Sequence, residues 1–600
     1  MQERRNGGQV KKERSPEISR TDSGVAQTAA LMAVLTLGTK FLGFLREIFL
    51  AGFFGTSPVT DAYVMAAAIP GILFAGVFTS MSVSYMPLYS DIVAQEGRDA
   101  GNRFTSQAIM LSSGLAVAGA VLGILFTEQL VHIFAAGFDA DTAALTVFYA
   151  KITFFYIVFN AAAGLFESYL QYDGAFLRPL LAGYLQSGLV LAAIVVSAYL
   201  DYRLLALGLL IGTVLRTIAL AAFAVERGFE WSPGGKISDA AKAIVALAIP
   251  VFIGSTVNQI NTFVDKMLAS GLVSGSVSAL NYSYLLVNMI TALTTAIIVT
   301  IIYPRLTRAQ SSGDATGFDR ACQAGVSVSL IIAVPFSLGA ALYSEPVIRL
   351  VYERGAFDAA SRSLTVGAFA FYSLGLVFVA VNALLVKVFY SLQDMKAPVA
   401  AGAVAALTNI GLNLLFVGPL AQRGLALATS IAALVNTVCL VAMLRRRHPA
   451  TRVFTDPVKA AKIVAAACAA VFLSWLVYKL PGRLARLLLR SMALSLAPGA
   501  LASQLQTGSH GFWNALQFVM LPDRLTHLPA MDLEQIAHMH SESLGRFAHM
   551  LQVIATDNPG SLHSAILLLL AAGSAALVYL FLLYKLDIEE LGLLKSLVKK

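Results

Sequence analysis

Long apolar runs separated by shorter polar segments dominate the chain. A helix that crosses a membrane needs about 20 mostly apolar residues. The chain contains fourteen runs of this kind, which predict fourteen transmembrane helices over residues 25–52, 61–90, 105–127, 144–170, 180–200, 204–225, 241–270, 278–303, 323–343, 364–391, 400–418, 424–444, 460–480 and 563–584. The predicted fold class is therefore an all-α polytopic membrane protein.

The polar segments between these runs predict how the chain is organised. Two six-helix lobes plus two C-terminal helices form the simplest arrangement, and repeated lobes with a site between them suggest alternating access. The predicted parts are a disordered basic cytoplasmic tail (1–24), an N-terminal lobe of helices 1–6 (25–225), a cytoplasmic linker (226–240), a C-terminal lobe of helices 7–12 (241–444), a basic loop with helix 13 (445–480), an extracytoplasmic insertion with amphipathic helices (481–562), and helix 14 with a cytoplasmic tail (563–600).

Composition and charge support this interpretation. Hydrophobic residues make up 57% of the chain and charged residues only 13%, whereas soluble domains carry about 25% charged residues. Most of the 43 lysines and arginines fall in segments that are inside if the N-terminus is inside, so both termini should be cytoplasmic. The N-terminal tail has no apolar stretch typical of a cleavable signal peptide.

Several function classes are disfavoured. The net charge of +9 comes without a nucleic-acid-binding motif, so no nucleic acid is expected as a partner. The three cysteines lie in or beside apolar segments and predict neither disulfides nor a metal site. Six of the eight histidines lie in 510–563. They lack a catalytic spacing such as H-E-x-x-H, so an enzyme acting through the outer loop is the weakest hypothesis.

Charged residues within the apolar runs are the first candidate site. A charge at a helix centre costs at least ~2.5 kcal/mol in a bilayer, so it usually faces water or a partner. Lys40 and Arg46 are six residues apart on helix 1, which places their faces about 120° apart. We expect them to bind an anionic headgroup, with Asp61 gating or pairing with one of them. Lys266 and Lys387 of the second lobe would complete a basic chamber for a diphosphate. A structural ion pair with a snorkelling lysine is the alternative.

A second candidate site is polar but nearly uncharged. Asn409 and Asn413 are four residues apart and share one face of helix 11, and Thr429 lies early on helix 12. With Asp265 they offer one carboxylate, two amides and one hydroxyl. Such oxygen ligands suit a hard cation such as Na⁺, while interhelical hydrogen bonding is the alternative.

Five stretches of this chain resemble the MurJ/MviN family. They are GFLREIFLAGFFGTSPVTDAYVMAAAIP (43–70), DKMLASGLVSGSVSALNYS (265–283), LVYERGAFDAASRSLT (350–365), VFYSLQDMKAPV (388–399) and NIGLNLLFVGPLAQRGLALATSIAALVN (409–436). The resemblance implies a fourteen-helix lipid II flippase of the multidrug/oligosaccharidyl-lipid/polysaccharide exporter superfamily. It also implies a monomer in the bacterial cytoplasmic membrane that carries a polyprenyl-pyrophosphate-linked peptidoglycan precursor by alternating access.

The resemblance assigns roles to individual residues. Arg46 resembles a cavity arginine of helix 1, and Lys40 stands where the family often has arginine, which keeps the charge but loses the planar fork. Asp61 resembles the helix 2 aspartate of the family. Asn409, Asn413 and Thr429 resemble a cation site described in some members, with Asp265 as the helix 7 partner, so Na⁺ is a candidate coupling ion. Asn413 stands where an aspartate is expected.

The chain also departs from the family pattern. The arginine expected on helix 2 after 69–70 appears as Phe74 or Ala75, and the arginine expected on helix 8 appears as Leu285. The alternatives are therefore a flippase for another lipid-linked oligosaccharide, such as a capsule, teichoic acid or exopolysaccharide unit, and a cation-coupled drug exporter. The last would call for an acidic cavity, whereas the charges within the predicted helices are mostly basic.

Overall fold

The regular structure of the described residues is entirely helical. The computed structural model describes residues 22–234, 238–453, 457–479, 572–573, 575–576, 578–583 and 585–586. The helices are α1 (Asp22–Phe54), α2 (Pro58–Glu96), α3 (Arg98–Leu125), α4 (Thr127–Phe134), α5 (Ala140–Tyr172), α6 (Leu177–Tyr199), α7 (Leu205–Glu226), α8 (Asp239–Ser270), α9 (Ser276–Ile297), α10 (Tyr303–Ser311), α11 (Ala315–Leu342), α12 (Ser344–Tyr352), α13 (Ala359–Leu374), α14 (Leu376–Ser391), α15 (Lys396–Leu420), α16 (Gln422–Arg447) and α17 (Pro457–Lys479). The predicted insertion over 481–562, its histidines and much of the predicted fourteenth helix lie outside the described residues.

The lengths and compositions of these helices confirm a polytopic membrane protein. Within the described part of the chain, nine helices are long and apolar enough to cross a membrane, and two bent pairs raise the number to eleven. One pair bends by 48° between Phe74 and Gly76, and the other by 44° between α13 and α14. Helices α1 and α8, of 33 and 32 residues, are also long enough to span. The total of fourteen spans stays a prediction.

Helices α1–α7 form one half of the bundle. Helix α5 lies at its centre and packs against α2, α3 and α7, while α6 packs against α1 and α7. Small residues allow these helices to approach closely. A Cβ atom at Gly123 of α3 would lie 2.3 Å from the ring of Phe154 on α5, and one at Gly208 of α7 would lie 2.2 Å from Cβ of Ala193 on α6.

Helices α9–α16 form the other half, and α8 lies against both. In the second half α16 packs against α13, α14 and α15, and α11 packs against α14. Helix α8 packs against α2 of the first half and α15 of the second. Helix α17 packs on α11, where Tyr343 and Ser474 share a hydrogen bond of 2.7 Å. The described part of the last helix joins them through Tyr579, whose hydroxyl donates to the carbonyl of Ile331 at 3.0 Å.

Polar side chains cap the N-termini of several helices. Ser57 accepts a hydrogen bond from the backbone N–H of Thr60 and is followed by Pro58, a residue favoured in the first turn. Asp139 caps α5 by accepting hydrogen bonds from Asp141 and Thr142. These bonds favour the charged carboxylate and hold the pKa of Asp139 below its usual value.

Candidate functional site

The two halves meet through a polar contact at one end of the bundle. We define the inter-half contact as residues 52–61 and 137 of the first half with residues 270–278 and 352–361 of the second. The backbone N–H of Ala356 donates to the carbonyl of Gly52 at 2.8 Å. The hydroxyls of Thr56 and Ser361 lie 2.9 Å apart. These bonds hold the turn between α1 and α2 against the turn between α12 and α13, so this end of the bundle is closed.

Glycine permits this close approach of backbone to backbone. Gly55 has φ +60° and Gly355 has φ +56°, in the left-handed region where other L-residues are strained. A Cβ atom at Gly355 would lie 2.3 Å from the carbonyl oxygen of Gly52, and one at Gly55 would lie 2.4 Å from that of Ala356. A side chain at either position would push the two halves apart.

Asp61 of the first half caps a helix of the second half. Its side chain is buried, and Oδ2 accepts a hydrogen bond from the backbone N–H of Gly275 at 2.6 Å. Oδ1 accepts two more from Ser278, at 2.7 Å from the backbone N–H and 2.6 Å from the hydroxyl. The N-terminus of α9 thus receives its capping carboxylate from α2, where the helix dipole also favours a negative charge. Asp61 therefore lies in the inter-half contact, and its role as a gate stays a prediction.

Arg46 is paired with the acidic residue that follows it. Its Nη2 donates to Oε1 of Glu47 at 2.7 Å and its Nε does so at 3.1 Å. The Arg46 side chain keeps 31% of its surface exposed, whereas Glu47 keeps only 8%. The pair uses two of the five N–H groups of the guanidinium. The expected surplus of positive charge around Arg46 is therefore reduced by a neighbouring carboxylate.

The three candidate lysines lie in different surroundings. Lys40 is exposed on α1. Lys266 is half-buried on α8, and Asp265, Asp61 and Glu47 are the acidic groups whose charges act on it. Two basic side chains, Arg46 and Lys266, are thus accompanied by three acidic ones, those of Glu47, Asp61 and Asp265. The predicted basic chamber therefore also contains acidic groups.

Lys387 lies toward the other end of the second half. Its ammonium group is 5.3 Å from the ring centre of Tyr303 and 5.4 Å from that of Tyr390, which gives two cation–π contacts. Ser276 begins α9 at the closed end, and the 27 residues from there to Tyr303 correspond to about 40 Å of helix. Lys387 therefore lies far along the bundle from Asp61, rather than facing the first-helix cations as expected.

The structure brings the four predicted cation ligands together. Asn413 donates a hydrogen bond to Oδ1 of Asp265, and its amide nitrogen lies 2.8 Å from the amide of Asn409. When the Asn409 amide is turned toward its acidic and amide neighbours on α8, its nitrogen donates to Asp265 at 3.0 Å and to Asn261 at 2.6 Å. Its oxygen then accepts from the backbone N–H of Thr429 at 3.1 Å. We call these five residues the α8/α15/α16 polar cluster.

One atom of this polar cluster lacks a partner. Asn409 and Asn413 are fully buried, and Oδ1 of Asn413 has no hydrogen-bond partner among the described residues. A buried acceptor left unpaired costs about 1–3 kcal/mol. A cation bound beside this oxygen and the Asp265 carboxylate would remove that cost. The donors are all oxygens and amides, and the described residues contain no group of three or more His, Cys, Asp or Glu that would suit a transition metal.

The sequence predicted neither the pairing of Glu47 with Arg46 nor Asn261 as a member of the site. Glu47 pairs with Arg46, and Asn261 contributes to the polar cluster. Glu47 follows Arg46 within the run FLREIFL, and two opposite charges in one apolar run already indicate a pair. Asn261 lies four residues before Asp265, so both face the same side of α8.

A bundle of long apolar helices in two halves, with buried charges and a polar contact that closes one end, is the arrangement of a membrane transporter. Solved structures support this class. The chain aligns with a structure titled "Lipid II flippase MurJ, inward closed conformation" with a TM-score of 0.66 and 25% identity, over 74% of this chain and 92% of that one. An inward-facing MATE family transporter of the MOP superfamily aligns with a TM-score of 0.58 at 14% identity, which shows the same fold.

Sequence relatives identify the family more narrowly. A probable lipid II flippase MurJ of Rhizobium tropici is 28% identical over 430 residues, covering 69% of this chain and 79% of the relative. The lipid II flippase MurJ of Burkholderia cenocepacia is 29% identical over 446 residues, covering 70% and 84%. The family model described as lipid II flippase MurJ matches residues 50–493. The chain belongs to the MurJ family, which confirms the resemblance.

Proposed function

We propose that this protein is a transporter that moves lipid II, a polyprenyl-pyrophosphate-linked peptidoglycan precursor, across the cytoplasmic membrane by alternating access. The observation that carries the proposal is the family match over 50–493, together with a fold whose two halves are closed at one end. The relatives from Rhizobium tropici and Burkholderia cenocepacia bear the lipid II flippase name. They favour this cargo over another lipid-linked oligosaccharide and over drugs.

Arg46 is the residue we assign to the pyrophosphate. Two of its N–H groups hold Glu47, which fixes the orientation of the guanidinium, and its remaining N–H groups suit a phosphate oxygen. Its exposed fraction of 31% leaves it accessible to a ligand. Lys40 and Lys266 would add charge from either side as the headgroup passes, while Lys387 would act at the opposite end of the second half.

Release of the cargo on the far side requires the inter-half contact to open. The bonds that would break are the backbone bond between Gly52 and Ala356, the hydroxyl contact of Thr56 and the bonds to Asp61. With the N-terminus and C-terminus in the cytoplasm, this contact would lie on the extracytoplasmic side. We propose that orientation, the inner membrane and a monomeric state together with the activity.

We also propose a Na⁺ site in the α8/α15/α16 polar cluster. Asp265, Asn409, Asn413 and Thr429 would hold the ion, and the orphaned oxygen of Asn413 fits this role. The bound ion would neutralise the Asp265 carboxylate. Retention of ²²Na⁺ by the purified protein, and its loss in Asp265→Asn, tests the site independently of transport. Equal retention by both proteins would contradict it.

Rescue of a strain depleted of its own lipid II flippase tests the function. The unaltered protein should restore growth and remove accumulated lipid II, whereas Arg46→Ala should do neither while remaining in the membrane at normal abundance. Arg103→Ala is a matched control, because Arg103 is exposed on α3. Failure of the unaltered protein to remove lipid II would point to another lipid-linked oligosaccharide. Full rescue by Arg46→Ala would remove that residue from the mechanism.

A further inference from the structure

Residues 227–234 follow α7 at the end of the bundle opposite the inter-half contact, and we call them the linker segment. The side-chain nitrogen of Asn102 on α3 donates to the carbonyl of Gly228 at 2.9 Å. The hydroxyl of Ser106 accepts from the backbone N–H of Ser232 at 3.0 Å. Asn102 and Ser106 are four residues apart, so they share one face of α3. This face therefore holds the backbone of the linker segment at two points.

An aromatic side chain fastens the linker segment to a second helix of the first half. Phe229 is buried, and its ring centre lies 5.6 Å from that of Phe166 and 5.5 Å from that of Tyr169, both on α5. The two ring pairs meet edge to face, which is a favourable arrangement for aromatic rings. The linker segment is thus packed as well as hydrogen-bonded.

The first turns of α8 belong to the same packed unit. Ser238, which caps α8, donates its backbone N–H to the side-chain oxygen of Gln107 on α3 at 2.9 Å. Ala241 and Ile244 are fully buried in the apolar cluster that contains Phe229 and is otherwise formed by helices of the first half. Helix α8 therefore begins as part of the first half, before it reaches α15 of the second.

The segment that leaves the second half is held in a similar way. The backbone N–H of Arg452 donates to the Asp319 carboxylate at 2.8 Å, and its carbonyl accepts from the Gln323 amide at 3.3 Å. Asp319 and Gln323 are four residues apart on one face of α11. Val453 is buried in the apolar cluster of the second half. Each half thus holds the segment that follows its last helix.

We propose that the linker segment moves with the first half during alternating access, so that at this end the halves separate between α8 and the second half. The proposal rests on the proposed function, because it concerns the same movement of the halves. A loop that joins two moving bodies is a common place for a hinge. Here Gly228, Phe229 and Ser232 are held by α3 and α5, so a hinge in the linker segment would break these contacts in every cycle.

A disulfide between α3 and the linker segment tests the proposal. The contact of 3.0 Å brings Ser106 and Ser232 close enough for Ser106→Cys with Ser232→Cys to form one, in a protein without its three native cysteines. We expect the disulfide to form on oxidation, and lipid II transport in reconstituted vesicles to stay within about two-fold of the reduced form. Thr56→Cys with Ser361→Cys is the matched control, because it joins the two halves and should stop transport on oxidation.

Two results of this experiment would overturn the proposal. One is loss of transport on oxidation of the Ser106→Cys, Ser232→Cys protein that a reductant restores. The other is failure of the disulfide to form. Absence of lipid II transport by the unaltered protein would instead count against the proposed function.

Hydrogen exchange of the purified protein tests the proposal without any cargo. Asp61→Ala removes hydrogen bonds across the inter-half contact, so the N–H of Ala356, which donates to the first half, should exchange at least about ten-fold faster. The N–H groups of Ser232 and Ser238 should exchange within about two-fold of the unaltered protein, because their partners lie in the first half. Faster exchange of Ser232 together with Ala356 would overturn the proposal.

Discussion

Replacing Asp61 should shift the transporter away from the closed state of the inter-half contact. Asp61 accepts three hydrogen bonds from Gly275 and Ser278, and all three cross between the halves. A hydrogen bond to a charged group contributes at least ~1.5 kcal/mol net, so removing the side chain in Asp61→Ala should destabilise the closed state by about 4 kcal/mol. That corresponds to about a thousand-fold change in the equilibrium between closed and open states.

The isosteric variant Asp61→Asn should have a smaller effect. One amide oxygen can still accept from Ser278, but the amide nitrogen then meets the N–H of Gly275, and the charge that favours the N-terminus of α9 is lost. We expect the closed state to be destabilised by about 2 kcal/mol, which is about thirty-fold. We therefore expect the closed state to be most stable in the unaltered protein, less stable in Asp61→Asn and least stable in Asp61→Ala.

A cysteine pair across the contact measures this shift. Thr56→Cys and Ser361→Cys replace two hydroxyls that lie 2.9 Å apart, and the three native cysteines are removed in all variants. The rate of disulfide formation then reports the closed population. Asp139→Asn is the control, because Asp139 caps α5 within its own half. The reasoning would be refuted if Asp61→Asn cross-links as fast as the parent, or if Asp139→Asn slows cross-linking equally.

Three further predictions concern stability and packing. Gly355→Ala should abolish rescue of the flippase-depleted strain, because its Cβ would lie 2.3 Å from a carbonyl oxygen of α1. Gly97→Ala is the control, since Gly97 also has a positive φ but has no atom within 4 Å of an added Cβ. It should retain rescue at a small stability cost. Arg216→Leu should lower the apparent melting temperature by leaving Glu167 unpaired, at about 3 kcal/mol, and adding Glu167→Leu should recover part of this loss. The lowered pKa of Asp139 gives stability that is present above about pH 4 and lost as the pH falls through the folded-state pKa. The melting temperature of Asp139→Asn should therefore depend less on acid below about pH 4. An unchanged acid sensitivity would contradict this.

The sequence predicted the helical spans well, because an apolar run of about 20 residues has few other structures available in a membrane. It did not predict that the run over 364–391 is two helices bent by 44° at Gly375. The run stays apolar through the bend, so hydropathy carries no signal there. The short amphipathic helices α4 and α12 were missed for a related reason, since each directly follows a long apolar helix and adds only 8 or 9 residues.

The site was predictable only where its residues are close in sequence or covered by the family resemblance. The spacing of Asn409 and Asn413 predicted a shared face. Asp265 and Thr429 were grouped with them as oxygen ligands, and the resemblance supported that grouping. The partners of Asp61 were beyond reach, because Gly275 and Ser278 are 214 and 217 residues away and two of the three donors are backbone groups. The amino-acid sequence does not indicate which backbone N–H groups act as donors.

Helix α8 connects the α8/α15/α16 polar cluster with the inter-half contact. Asp265 lies in the polar cluster against α15 and α16, while the next residue, Lys266, is acted on by Asp61 and Glu47 of the first half. Consecutive residues on a helix point about 100° apart, so one turn of α8 faces both the proposed ion site and the inter-half contact. The same helix ends at Ser270, whose hydroxyl accepts from the backbone N–H of Gly137 in the first half at 3.3 Å. A rotation of α8 that changed the position of Asp265 would therefore also move Lys266 and Ser270 relative to the first half. This shared rigid element gives the proposed ion site and the inter-half contact a direct physical connection.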